Sequence, residues 1–394
     1  MNNMRSQDWD PKSAAVLRDQ RAAFDEMRER CPVAYSDLLG WSLFRHEDLV
    51  RVLNDPVTFS SVVSRNLSVP NGMDPPEHGQ YRRLIEPYFA PHAMQAFEPQ
   101  CRSLAADLVR SLHGRAGLDL MEGFAHPFAV RVQCVFLGWP ASMHEPLRAW
   151  AQKNHAATFA QDRTAMVEIA REFAGYVTEL LQVRRGTGVQ GSQDVVGSLI
   201  SQQVKGRPLN DEEIISILRN WTVGEISTIA AAVGVVAQYL AEHTALQQQL
   251  RTQPGALPDA IEEVLRLFGP LLANRRVTTR AVEIGRRSIA AGKRISLNWV
   301  AANRDGRVFS DPQSFRSDRD ASANLLYGAG IHVCPGAPLA RMELRVAVQA
   351  LLDGTAGIEP IAGRAPTSAV YPASGFATLP LHLTFPSPPV VHQR

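Results

Sequence analysis

Helical periodicity dominates this chain from about residue 74 to residue 268, while strand-like alternation is confined to its two ends. Apolar residues recur at three and four spacing over 102–112, 163–182 and 211–239, so each segment carries a face made for burial. Strand signals are short: 41–44 near the start, then 282–284, Ile289 and 294–300, the last preceded by the turn Ala291-Gly292. Segments so far apart can share a sheet only if the chain folds back on itself. The pattern therefore predicts a mostly α protein with small β-sheets in one integrated domain over residues 1–394, with a tail of about fifteen residues at the N-terminus.

Composition narrows what such a fold does. Forty-one basic against 39 acidic side chains leave a net charge of +2, which excludes phosphate-driven nucleic-acid binding. Hydrophobic residues at 45% supply a core and exclude disorder. The most apolar stretch, 228–241, is interrupted by Gln238 and is shorter than the ~20 residues of a membrane span. No apolar leader follows the polar N-terminus, and the four cysteines (31, 101, 134 and 334) form neither CxxC pairs nor a cluster. A cytoplasmic, membrane-free protein is expected. Gly186 to Gly191 matches GxGxxG but follows a helical pattern instead of a strand, so it is expected to be an interhelical loop and not a dinucleotide site.

The segment from Tyr327 to Arg341 carries the chemistry. Three glycines and two prolines surround Cys334 and His332, and a strong helical pattern begins immediately after. A cysteine in a tight loop at a helix N-terminus lies beside N–H donors and the positive end of the dipole, which favours the thiolate. This spacing resembles the haem-binding loop of the cytochrome P-450 family, aromatic-G-x-G-x-H-x-C-x-G-x-x-L-A-R. Further motifs agree at the right separations. Glu263 and Arg266, 71 and 68 residues before Cys334, resemble the family's structural E-x-x-R pair. Asp74-Pro75-Pro76-Glu77-His78 with Arg82 resembles the entry to helix C, and 302–305 with 309–312 resemble the run toward the haem loop.

That resemblance implies the triangular haem-thiolate prism of a bacterial-type P-450. It implies haem b (iron protoporphyrin IX) with the Cys334 thiolate as axial ligand, Gly336 in the binding loop, and His78, Arg82, Arg276 and His332 as propionate partners. The implied activity is monooxygenation: one dioxygen atom enters a C–H bond of a small hydrophobic substrate, by hydroxylation or O-dealkylation. It also implies electrons from a separate ferredoxin-type donor and NAD(P)H-dependent reductase, since one haem domain leaves no room for a fused reductase, and a monomer. Substrate contacts are implied at Val62, Val63, Asn220, Gly224, Leu271, Leu272, Ala273 and Phe376, with Arg65 a further polar anchor or a surface group, and a reduced lid helix between Phe59 and Asp74. Arg341, Arg345 and the Arg82-Arg83 pair form a basic docking face, haem support or simply solvated surface.

Two departures stand out. Ser314 occupies the place where many relatives carry the arginine that joins the E-x-x-R pair; Arg316 or Arg319 is the candidate substitute, and the third partner is left open. In the central helix, a register anchored on Gly224 puts Ile226 in the place of the family's acid and Ser227 in that of its threonine, with Glu225 and Thr228 one residue off. Glu225 with Ser227 or Thr228 is expected to feed protons, because an acid inside an apolar helix is costly unless paired or solvated. A peroxide-driven peroxygenase and a haem sensor without turnover are the rival readings.

Overall fold

The computed structural model describes residues 7–115, 117–186, 194–370 and 373–386. The longest element is the central helix Asp211–Glu242, started by a reciprocal capping box in which Asn210 accepts from the Glu213 N–H and Glu213 accepts from the Asn210 N–H. Its middle is apolar nearly all round because it runs through the core. Ile217, Leu218, Ile226, Ile229 and Val233 are each buried and each contributes roughly 1.5–3 kcal/mol of burial. By length and composition this helix is apolar enough to cross a membrane, but 78% of its apolar window is buried inside the protein. Against it pack His126–Leu137, Arg163–Gly186, Leu257–Phe268 and Ala337–Gly354, and Pro91–Ser111 packs in turn on the first and last of these. Gly186 ends a helix, as its preceding pattern predicts; residues 187–191 of the GxGxxG match lie outside the described residues.

Distant strands do meet. A five-stranded sheet has the order Val33–Ser36, Gly40–Leu43, Arg294–Asn298, Ala273–Thr278, Phe59–Ser60. Ile295 pairs with Trp41 and Leu297 with Leu43 in parallel register, and their side chains form one apolar cluster with Leu49 and Phe59. Gly40 is required at its turn: φ is +71° and a Cβ would stand 2.8 Å from the Arg294 carbonyl oxygen. The two-residue strand Phe59–Ser60 and the sheet Gly357–Pro360, Pro380–Thr384, Leu118–Asp119 are too short to register as alternation.

The expected fifteen-residue tail is shorter than that. Asp8 donates its N–H to the Tyr35 carbonyl, and Trp9 is buried edge-on to Phe24 and Phe44, so aromatic packing anchors the chain from residue 8. The expected lid helix is absent: 61–76 holds turns and no helix. Backbone groups that a helix would satisfy are taken by the central helix instead. Ser216 Oγ donates to the Leu67 carbonyl and accepts from the Val69 N–H, and Asn220 Nδ2 donates to the Val69 carbonyl at 2.9 Å.

Candidate active site

A cavity of about 690 Å³ lies between the central helix and the cysteine loop. Loop residues Tyr327, Gly328, His332, Cys334 and Gly336 line one side, and Asn220, Gly224, Glu225 and Thr228 line another. The loop is held by short turns, with the Cys334 N–H donating to the Tyr327 carbonyl at 2.8 Å. Gly330, at φ +69°, admits no side chain, because a Cβ would sit 2.3 Å from the Leu53 carbonyl oxygen.

Cys334 presents its surface to the cavity, yet protein crowds it on the other sides. Desolvation therefore dominates and pushes the thiol above its usual range, while the backbone N–H groups of Gly336 and Ala337 pull it down. The N–H groups at the helix N-terminus thus favour the thiolate, as expected, while burial opposes it. Metal coordination would decide for the thiolate, since a bound cation deprotonates its thiol ligand outright.

Beside the cysteine stand donors without acceptors. His78 and His332 pack with ring centroids 4.2 Å apart, and the Nε2 of each is buried with no hydrogen-bond partner. Burial, then the neighbouring His78 and Arg276, push His332 down to about 3; burial, then Arg82, lowers His78. Arg276 is buried and its Nη1 donates to the Arg275 carbonyl. Desolvation lowers it more than Asp74 raises it. Arg82 is already engaged: it donates to Glu86 at 2.8 Å and to the Val333 carbonyl at 2.6 Å, bracing the loop.

The central helix settles the hydroxyl register. Gly224, Thr228 and Ala232 line the cavity at four-residue spacing, and the Thr228 hydroxyl donates to the Gly224 carbonyl. Ser227 lies about 100° further round the helix and is not among the lining residues, so Thr228 takes the position that the Gly224-anchored reading gave to Ser227. Ile226 is in the core. Glu225 reaches the cavity edge, but its carboxyl faces that of Glu343, a fully buried residue of the Ala337–Gly354 helix that sequence reasoning missed. The two approach without a well-formed hydrogen bond: Glu225 Oε1 and both Glu343 oxygens lack partners. Burial raises both; Glu225's charge pushes Glu343 further up. Folded protein thus binds protons that unfolded chain releases, so the pair's stabilising contribution is greatest below the ordinary carboxylate range and is lost as pH rises through the raised values. Glu343→Gln is expected to raise stability by on the order of 1 kcal/mol once pH is above the ordinary carboxylate range and to flatten its decline with rising pH there, read from urea midpoints.

Glu263 and Arg266 are both buried, with paired contacts of 2.7 and 2.9 Å. Arg266 also donates to the carbonyls of Asn303, Pro312 and Ser314. The third member is Arg319, whose Nε donates to Glu263 at 3.1 Å, while Arg316 contributes only its backbone N–H and turns its side chain to Asp318. Arg266 stacks over Phe309. Asn303 Oδ1 accepts from the Leu325 N–H, tying this network to the approach of the cysteine loop.

Other expected contacts divide by alternation. Val63 and Leu271 line the cavity; Val62 is 52% exposed, and Leu272 is buried among Trp9, Phe24 and Phe44. Ala273 lines it, whereas Phe376 packs into the core beside Gly234. Arg65 is exposed. Arg341 pairs with Glu262, and Arg345 shares Glu98 with Arg102. Aromatic lining residues Phe89, Phe136 and Trp221, which interlock edge-on and stacked, carry no sequence motif and were not anticipated.

The cytochrome P450 family model matches residues 46–354. Cyclomarin C epoxidase of Salinispora arenicola is 33% identical over 85% of this chain and 88% of its own length. Erythromycin C-12 hydroxylase of Saccharopolyspora erythraea is 32% identical over 85% and 88%. Among solved structures, a mutant of P450 EryK in complex with erythromycin B superposes with a TM-score of 0.86 at 27% identity, covering 94% of this chain and 97% of that one. CYP109E1 of Bacillus megaterium in complex with testosterone gives 0.82 at 25% identity, covering 92% and 99%. The chain belongs to the cytochrome P450 family. It is a monooxygenase of the bacterial type, with haem as cofactor and a cysteine thiolate as axial ligand. The residues present fit that group: a thiol at the cavity wall, and beside it two orphaned imidazole nitrogens and a buried arginine suited to carboxylates.

Proposed function

We propose that the protein inserts one atom of dioxygen into a C–H bond of a small, largely apolar organic substrate, by hydroxylation or, beside an ether oxygen, O-dealkylation. Two electrons and two protons are consumed and the second oxygen atom leaves as water. The electrons come from a separate ferredoxin-type carrier and its NAD(P)H-dependent reductase. The observation that carries this reading is one cavity with the Cys334 sulfur and the Thr228 hydroxyl on its walls. When bound, the haem supplies oxygen activation.

The chain's own residues position, dry and protonate. Cys334 ligates the iron, with the Gly336 N–H steadying its sulfur. His78, His332 and Arg276 hold the propionates, and Arg82 braces the loop. Thr228, whose hydroxyl donates to the Gly224 carbonyl, would hold a proton at the cavity ready for oxygen activation. Glu225, raised by desolvation and turned toward the buried Glu343, stands one turn away, where the pair is a proton reserve. Val63, Trp221, Leu271 and Ala273 enclose the apolar body of the substrate and exclude water. Together the described residues form a single haem domain.

Reconstitution with a ferredoxin, its reductase and NAD(P)H under isotopically labelled dioxygen is expected to give singly labelled product. Equal turnover from hydrogen peroxide alone would overturn the electron route and favour the peroxygenase reading. Spectral binding of substrates without any product would favour the sensor. In the same assay, Thr228→Ala is expected to lower product per NAD(P)H by about tenfold or more, with peroxide released in its place.

A further inference from the structure

The described cavity lining contains four basic side chains, Arg219, Arg275, Arg276 and His332, and a single acid, Glu225, whose carboxyl is turned to Glu343. Arg276 and His332 are accounted for beside the cysteine. Arg219 is not. It sits on the central helix, half-buried, and donates one hydrogen bond, from Nη2 to the Leu67 carbonyl at 2.5 Å. A guanidinium has five N–H donors, so most of this one remains unspent. Desolvation alone shifts it, downward; no acid among the described residues raises it. Half-buried Arg148 and Arg184, by contrast, each hold a carboxylate. Keeping a cation partly out of water without a counter-charge costs free energy. Next to it the 61–72 loop adds neutral polar lining groups, Asn66 and Asn71, with no carboxylate.

Resting on the monooxygenase reading above, we propose that Arg219 is the anchor for a carboxylate on the substrate, so that this enzyme oxidises organic acids at a carbon remote from the acid group. A carboxylate matches the planar fork of a guanidinium and takes two of its donors side by side. The nine residues from Arg219 to Thr228 rise about 14 Å along the helix. A molecule held at its acid end by Arg219 therefore presents its far end, and not the carbon next to the carboxylate, to the Thr228 region. Its apolar middle lies against Trp221, Val223 and Leu271. Arg219 is in this sense a specificity-determining residue.

The test is a spectral titration of ferric holoprotein at pH 7.5 with straight-chain carboxylates of about eight to twelve carbons, matched to that ~14 Å rise, and with their methyl esters. The acids are expected to bind about tenfold more tightly than the esters. Arg219→Gln is expected to erase that difference by weakening the acids alone, and Arg219→Lys to restore part of it. Because Arg219 also holds the Leu67 carbonyl, a merely structural role would weaken acids and esters alike, and that result overturns the proposal. So does equal affinity for the two classes in the unaltered protein, or failure of both to bind. A protein whose reduced carbonyl complex lacks the red-shifted Soret band would instead refute the haem-thiolate reading itself, independently of any acid preference.

Discussion

Cys334→Ala is expected to abolish the red-shifted Soret band of the reduced carbonyl complex and all monooxygenase activity, with haem content falling sharply. Cys334 is the cysteine that lines the cavity; Cys101 and Cys134 are buried in the apolar core, where burial raises both thiols, that of Cys134 to about 12, and Cys31 lies among the N-terminal elements. None of these three can take over the ligand's place without the helices moving. The loop itself is held by backbone contacts, the Cys334 N–H to Tyr327 and the Val333 N–H to Gly330, so removing one sulfur should leave the fold intact. Far-ultraviolet circular dichroism checks that. A Cys334→Ala protein that keeps the band would refute the ligand assignment.

Arg266→Met is expected to cost about 3–5 kcal/mol, a large part of the ~5–15 kcal/mol that holds a typical domain together. The substitution strands a buried Glu263 with Arg319 as its remaining cation and leaves the carbonyls of Asn303, Pro312 and Ser314 short of a donor. Urea midpoints of the holoprotein measure the loss. If Arg266→Met yields no soluble protein, Arg266→Lys supplies the reading: a point charge meets Glu263 but cannot bridge the three carbonyls, so an intermediate loss is expected. A loss below about 1 kcal/mol for either variant, the level of an exposed pair, would show that the network is not structural.

What was legible in the chain follows from the range of the forces involved. The cysteine loop could be read because its constraints are local: glycines at positive φ, a cysteine, and a helix beginning within three residues. Helix positions were legible from apolar spacing, and the meeting of strands 41–44 and 294–298 from the need to bury both. Glu263 and Arg266 could be paired because one helical turn separates them. Arg319, by contrast, reaches Glu263 across 56 residues, and two candidates at 316 and 319 were equivalent until the loop's path turned one inward and the other out to Asp318. The central helix shows a similar limit. Counting from Gly224 put Ser227 in the hydroxyl's place with Thr228 as the alternative, but which of two adjacent residues faces a cavity depends on the rotation of the helix about its axis, and packing sets that rotation.

The sequence by itself determined the family, the cysteine ligand, the mostly α architecture and the ion pair that supports it, because each is written in short-range spacing. Only the tertiary structure decided that Thr228 faces the cavity, that Glu225 meets Glu343, that Arg319 completes the buried network and that Arg219 stands at the cavity without an acid. Those four depend on which side chains from remote segments are brought within a few ångströms of one another. Burial and charge interactions act at that distance, and no pattern along a single segment encodes it.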